Sequence, residues 1–192
     1  MEYTKDMKNK LPFLSVVFLL TISSCVHYSM AGSLPAHINS IAIPIVENQT
    51  VEFGMSESVT ENLLVKFNEE NILRVTDENQ ATSILRGTIT RVTDAPYTFT
   101  KDEAVTEYRF TIHMNVEWYD VRDNKILIKK NFSGWGAYGL SGDISSDAID
   151  NDGDGLIDGE DNDEFGDPRE FATTVAVTKI AEDVLNEIMT SW

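Results

Sequence analysis

Residues 107–118 read EYRFTIHMNVEW. Tyr108, Phe110, Ile112, Met114, Val116 and Trp118 alternate without a break against Glu107, Arg109, Thr111, His113, Asn115 and Glu117. Side chains on a strand point to opposite faces with period two. Twelve residues in this pattern therefore predict a half-buried strand of an antiparallel sheet, with one face on a core and one toward water. Just downstream, Asp120 to Asn124 carries turn chemistry, and Ile126 to Trp135 can return as the hairpin partner. Upstream, Ile84 to Val92 reads as another strand, with Leu85 and Ile89 on one side and Gly87 between them. Ile41 to Val46 is a fourth. Its Pro44 has no N–H to give a ladder, which confines that strand to an edge or a bulge. Glu47 to Thr50 follows as a polar connection.

The pattern changes period on either side of these strands. Val59, Leu63, Leu64 and Phe67 fall on one helical stripe, with capping-box spacing at Ser58 and Glu61 and a plausible stop at Asn71. At the other end, Val177, Ile180, Ala181, Val184, Leu185, Ile188, Met189 and Trp192 step by threes and ones along one continuous apolar face. The order is β-α-β-β-β-α. A sheet with one apolar face and two amphipathic helices bury one another, so the expected class is α+β: a two-layer sandwich of about four mixed or antiparallel strands against two helices.

The chain has 192 residues, with 15 Lys+Arg against 32 Asp+Glu and a formal net charge of −17. That balance excludes nucleic acid as the main partner, because such binding rests on cations that neutralise phosphates. The acidity is concentrated. Residues 143–170 hold 12 acids and one base, Arg169, and read as an insertion in an otherwise moderately acidic domain. Within it, residues 150–161 (DNDGDGLIDGED) place oxygen donors at loop positions one, three, five, nine and twelve. These are Asp150, Asp152, Asp154, Asp158 and Asp161, with the Leu156 carbonyl at position seven and Gly155 at position six, where a sharp turn is needed. Hard oxygen ligands at this spacing suit Ca²⁺, and so many carboxylates repel one another without a cation. The other reading is a solvated acidic tract. The loop resembles the calcium loops of dockerins and thrombospondin type 3 repeats.

The amino terminus reads as an address. Lys5, Lys8 and Lys10 precede an apolar run, Leu11 to Ile22, that is too short to span a bilayer comfortably. This is the pattern of a secretory signal peptide. Ile22-Ser23-Ser24-Cys25 closes it with the only cysteine of the chain and resembles a bacterial lipobox. Residues 1–24 are then a lipoprotein signal peptide, and residues 25–192 are one domain lipidated on Cys25. Otherwise the segment is a plain signal peptide and Cys25 an incidental thiol. Val26, where an aspartate would resemble an inner-membrane retention signal, favours the outer membrane.

Catalytic constellations are thin. His27, His37 and His113 are scattered, and no glycine-rich phosphate loop, HExxH or nucleophile elbow occurs. The expected protein is not an enzyme. Its mature part resembles the LptE family of lipopolysaccharide-assembly lipoproteins. The resemblance is carried by Cys25, Tyr28, Gly32 to Pro35, Ile41 to Thr50, Leu63 to Phe67, Ala81 to Thr90 and the closing Ala181-Glu182-Asp183. It implies a lipid-anchored protein on the periplasmic side of the outer membrane. Such a protein would act as plug and partner of an outer-membrane β-barrel, an LptD-like assembly protein, in lipopolysaccharide transport. It also implies contact with lipopolysaccharide through basic residues, for which Arg86, Arg91, Arg109, Lys129 and Lys130 are the candidates. The alternative is a calcium-binding cell-envelope lipoprotein with an adhesive or structural role.

Overall fold

The computed structural model describes residues 34–140, 146, 148, 150, 155–157, 160 and 166–191. The strands are β1 (Ser40–Ala42), β2 (Glu47–Asn48), β3 (Arg74–Val75), β4 (Ser83–Phe99), β5 (Val105–Asp120) and β6 (Lys125–Gly139). The helices are α1 (Met55–Glu70) and α2 (Pro168–Thr190). The sheet runs β3-β1-β4-β5-β6, with β2 also on β4. It has six strands, where the sequence pattern suggested about four. β1 and β2 lie parallel to successive parts of β4, and β3 lies parallel to β1. The three long strands are antiparallel.

The additional strands have local causes. The strand expected over Ile41 to Val46 is broken around Pro44, which cannot donate to the ladder. Pairing resumes at Glu47↔Thr88 and Asn48↔Ile89, so two residues expected in a polar connection are a strand. Short β3 follows α1 and is too brief to leave a periodic signature. β4 runs seven residues beyond Val92, through exposed residues that carry no hydrophobic alternation.

Both helices lie on one sheet face and pack on each other. The period-two expectation for β5 is met: Phe110, Ile112, Met114, Val116 and Trp118 are all buried, against Leu85 and Ile89 of β4 and Ile128 and Phe132 of β6. α1 contributes Met55, Val59, Leu63 and Phe67. It starts earlier than the Ser58–Glu61 pair suggested. Gly54, at φ 77°, is the N-cap, with no side-chain cap, and Ser58 N–H donates to the Gly54 carbonyl. Asn71 ends the helix in the left-handed region, as expected. α2 buries Ala172, Val175, Ala176, Val177, Ile180, Ala181, Val184, Leu185 and Ile188, whereas Met189 is exposed. Its first turn reaches back into the acidic segment. The Asp167 carboxylate accepts from Glu170 N–H at 3.0 Å, and Pro168 sits where no N–H is needed.

α2 crosses β6 at unusually close range. A Cβ on Gly134 would lie 1.9 Å from the Ala176 carbonyl oxygen, and one on Gly136 would lie 2.3 Å from that of Ala172. Two glycines facing two alanines let the helix backbone rest on the strand. Among the described residues, no helix is long and apolar enough to cross a membrane.

Candidate functional site: the open sheet face

With both helices on one side, the other face of β4, β5 and β6 displays the polar half of the alternation. The register sets its rows: Arg86, Glu117 and Lys129; Thr88, Asn115 and Asn131; Arg91, His113 and Ser133; Thr93, Thr111 and Trp135; Ala95, Arg109 and Ala137. The face is hydrophilic throughout most of its length and carries arginine on two of its three strands.

These cations fall into two groups. Lys129 Nζ lies 2.5 Å from Glu117 Oε1, an ion pair within its own row. Lys130 belongs to the helix side, where its Nζ meets Glu187 Oε2 at 2.6 Å. That contact holds the Glu187 carboxyl below its usual range. Arg86, Arg91 and Arg109 form no ion pair among the described residues. Arg86 instead lies 6.0 Å from the centroid of the Tyr119 ring. Arg91 pairs in register with His113, and burial together with the Arg91 charge pushes the His113 imidazole below its ordinary pKa.

Arg109 has the most specific setting. Its guanidinium carbon is 3.6 Å from the Tyr97 ring centroid and 4.3 Å from that of Trp135. The two rings are 6.1 Å apart and tilted. Lys179 of α2 lies 4.8 Å from the same indole. Arg109 Nε is buried with no hydrogen-bond partner among the described residues, which leaves a donor's demand unmet there. The result is a planar cation held between two half-exposed aromatic rings. Planar, delocalised guanidinium stacks this way and presents a forked donor set that suits phosphate or carboxylate. Tyr97 and Trp135 are not singled out by sequence alone. The signal for Trp135 was its place opposite Thr111 in the hairpin, which assigns it to the polar face.

A second cationic centre anchors the end of the sandwich. Arg169, the lone base of the acidic segment, sits one residue into α2. Its guanidinium reaches Glu52 Oε1 at 2.6 Å and Asp94 Oδ2 at 2.8 Å, above the Phe110 ring at 5.0 Å. These partners, Glu52 first, raise its already high pKa. Tyr138 donates to Asp94 Oδ1 at 2.8 Å, and burial with that bond pushes its phenol up to about 12. This network is satisfied internally, so its role is to lock the end of α2 to β4 and the loop before α1.

Of the other sequence-derived sites, Cys25, Asp152, Asp154, Asp158 and Asp161 lie outside the described residues. Asp150 and Leu156 are described, and Asp150 Oδ2 accepts from Gly155 N–H at 3.0 Å, with Gly155 at φ 98°. The glycine thus has the left-handed backbone that its position in the loop pattern requires.

Comparison with known proteins adds the family. No curated protein matches the chain in sequence. A protein of Xanthomonas campestris shares the fold at a TM-score of 0.51 and 10% identity, covering 81% of this chain and 88% of its own. A hypothetical protein of Chlamydia trachomatis does so at 0.50 and 11%, covering 79% and 95%. The model of the LptE family, described as lipopolysaccharide-assembly, matches residues 38–190, which include every element from β1 to α2. Spanning most of the chain, that match establishes that this protein belongs to the LptE lipopolysaccharide-assembly family.

Proposed function

We propose that this chain is an outer-membrane lipoprotein, anchored on the periplasmic side through lipid on Cys25. In this reading it acts in lipopolysaccharide transport as plug and partner of an LptD-like β-barrel, by binding and not by catalysis. Arg86, Arg91 and Arg109 receive the anionic groups of lipopolysaccharide on the open sheet face. The observation that carries this reading is that those three arginines, on one face of a protein with 32 acidic residues, form no ion pair among the described residues. Lys129 and Lys130, also candidates, are already engaged by Glu117 and Glu187 and contribute less. A hydrophilic sheet face also suits the lumen of a large barrel, whose inward-facing residues are polar.

The test has two arms. Affinity purification from solubilised outer membrane should recover a β-barrel in stoichiometric amount; recovery of none argues against the partner role. Lipopolysaccharide binding by the purified chain should fall at least tenfold in Arg91→Glu combined with Arg109→Glu and hardly change in Lys130→Ala. Equal binding by all three would remove the assigned face.

A second reading concerns the acidic segment. The Asp150–Gly155 contact supports a Ca²⁺ loop with ligands Asp150, Asp152, Asp154, Leu156, Asp158 and Asp161. On this reading the chain is a calcium-binding envelope lipoprotein with an adhesive or structural role. Calorimetric titration with Ca²⁺ on wild type and Asp152→Ala decides it: identical flat traces remove the metal.

A further inference from the structure

The lead before β1 is fastened to the far end of the β5–β6 hairpin by one side-chain cluster. His37 Nε2 lies 2.6 Å from Asp120 Oδ2 and 4.0 Å from Asp123 Oδ2. The three ligand atoms fall within 4.8 Å of one another, the one such group among the described residues. They come from three separate places: the lead, the last residue of β5 and the turn after it.

This is not a patch of solvated carboxylates. The Asp120 side chain is 3% exposed and that of His37 is 18% exposed. Asp120 Oδ1 accepts from the backbone N–H groups of Arg122 at 2.9 Å and Asp123 at 3.1 Å, so Oδ2 is the atom turned to His37 and Asp123. Burial opposes charge on Asp120, but the Asp123 amide, His37 and the Arg122 amide outweigh it and keep the carboxyl below its usual range. Asp123 Oδ1 takes Arg122 Nε at 2.8 Å, with a longer 3.5 Å contact from the guanidinium to Oδ2.

The geometry points to a binding site for a late first-row divalent cation, Zn²⁺ by its donor set, on His37 Nε2, Asp120 Oδ2 and Asp123 Oδ2. One imidazole and two carboxylates are borderline ligands. They suit zinc better than the all-oxygen set of residues 150–161, which suits calcium. Bonds of about 2.0–2.2 Å place tetrahedral ligands about 3.3 Å apart. The observed 2.6 and 4.0 Å straddle that value. An ion would part His37 from Asp120 and draw Asp123 inward by roughly 0.7 Å each, leaving a fourth position for water. The bound ion would clip the lead onto the β5–β6 turn. None of this depends on the role of the arginine face.

The full chain, purified in detergent, can be titrated with Co²⁺ followed by visible absorbance, and with Zn²⁺ followed by calorimetry. We expect one equivalent of Co²⁺ with a tetrahedral spectrum that Zn²⁺ abolishes. Affinity should fall at least tenfold in His37→Gln and in Asp123→Asn, and stay unchanged in Asp152→Ala. His37→Gln keeps a neutral hydrogen-bonding group beside Asp120, so loss of the fold does not confound the result. Absence of saturable binding up to millimolar metal would overturn the site. So would equal binding by wild type and His37→Gln, or a loss confined to Asp152→Ala.

Discussion

The two faces of the β4–β6 sheet are built from neighbouring residues of the same strands, and they do opposite work. On the helix side, Phe110, Ile112, Met114 and Trp118 are sealed, and even a methyl group on Gly134 or Gly136 has no room. On the other side, Arg109, Thr111, His113 and Asn115 alternate with them and are half-buried or exposed. Stability is invested on one face, leaving the other free to carry recognition. Mutations should therefore separate the two cleanly.

The sharpest break is steric. Gly134→Val drives side-chain atoms into the Ala176 backbone, and a loss of about 3 kcal/mol or more is expected, a large share of an ordinary stability margin. Chemical denaturation measures it, and a midpoint near that of wild type would mean that α2 does not rest on β6. Next comes a pair of adjacent residues. Ile112→Ala should cost about 2–5 kcal/mol, whereas Thr111→Ala should change stability by no more than about 0.5 kcal/mol. Similar losses at both positions would erase the distinction between the faces.

A smaller effect is expected where the helix layer is tied at its end. Arg169→Met removes the contacts to Glu52 and Asp94, and a cost of about 1–2 kcal/mol follows from lost charge-assisted hydrogen bonds. Tyr138 supplies a pH test of the same network. Its phenol titrates near 10 when unfolded and about 12 when folded, so the folded state favours the neutral form. That contribution is fully present below pH 10 and is lost as pH rises from there towards 12. Tyr138→Phe should flatten the alkaline end of the stability curve, and an unchanged slope would show that burial and the Asp94 bond do not hold the phenol neutral. The smallest stability change belongs to the open face. Arg91→Glu should leave the unfolding midpoint within about 0.5 kcal/mol of wild type while lowering affinity for anionic lipid. A loss of fold there would mean that the face is structural after all.

The layer architecture was legible because period two over Glu107 to Trp118 and period 3.6 over the last turns are direct images of burial. What escaped notice lacked such an image. β2 and β3 are two residues each, and the outer part of β4 is exposed on both sides, so neither leaves an apolar rhythm. The Ser58–Glu61 pair matched a spacing that the backbone did not use, because Gly54 could adopt positive φ four residues earlier. Basic candidates could be named from residue type. Only the folded contacts, however, separate Arg86, Arg91 and Arg109 from Lys129 and Lys130, which pair with Glu117 and Glu187. Arg169 had a visible signal in Asp167-Pro168, a helix start, though the acidity around it suggested an insert.

The closing helix has a consequence for how the molecule is made. β4, β5 and β6 can zip up as consecutive hairpins, but α2 comes after them and follows 28 residues, 140–167, that carry 11 carboxylates. Until it docks, the meander is a sticky ribbon with one greasy side. Like charges along that stretch of sequence oppose its joining the collapse. As a tether its length costs little, since each doubling adds only about 0.6 kcal/mol to loop closure. A chain cut short before Pro168 should thus clump instead of waiting half-built.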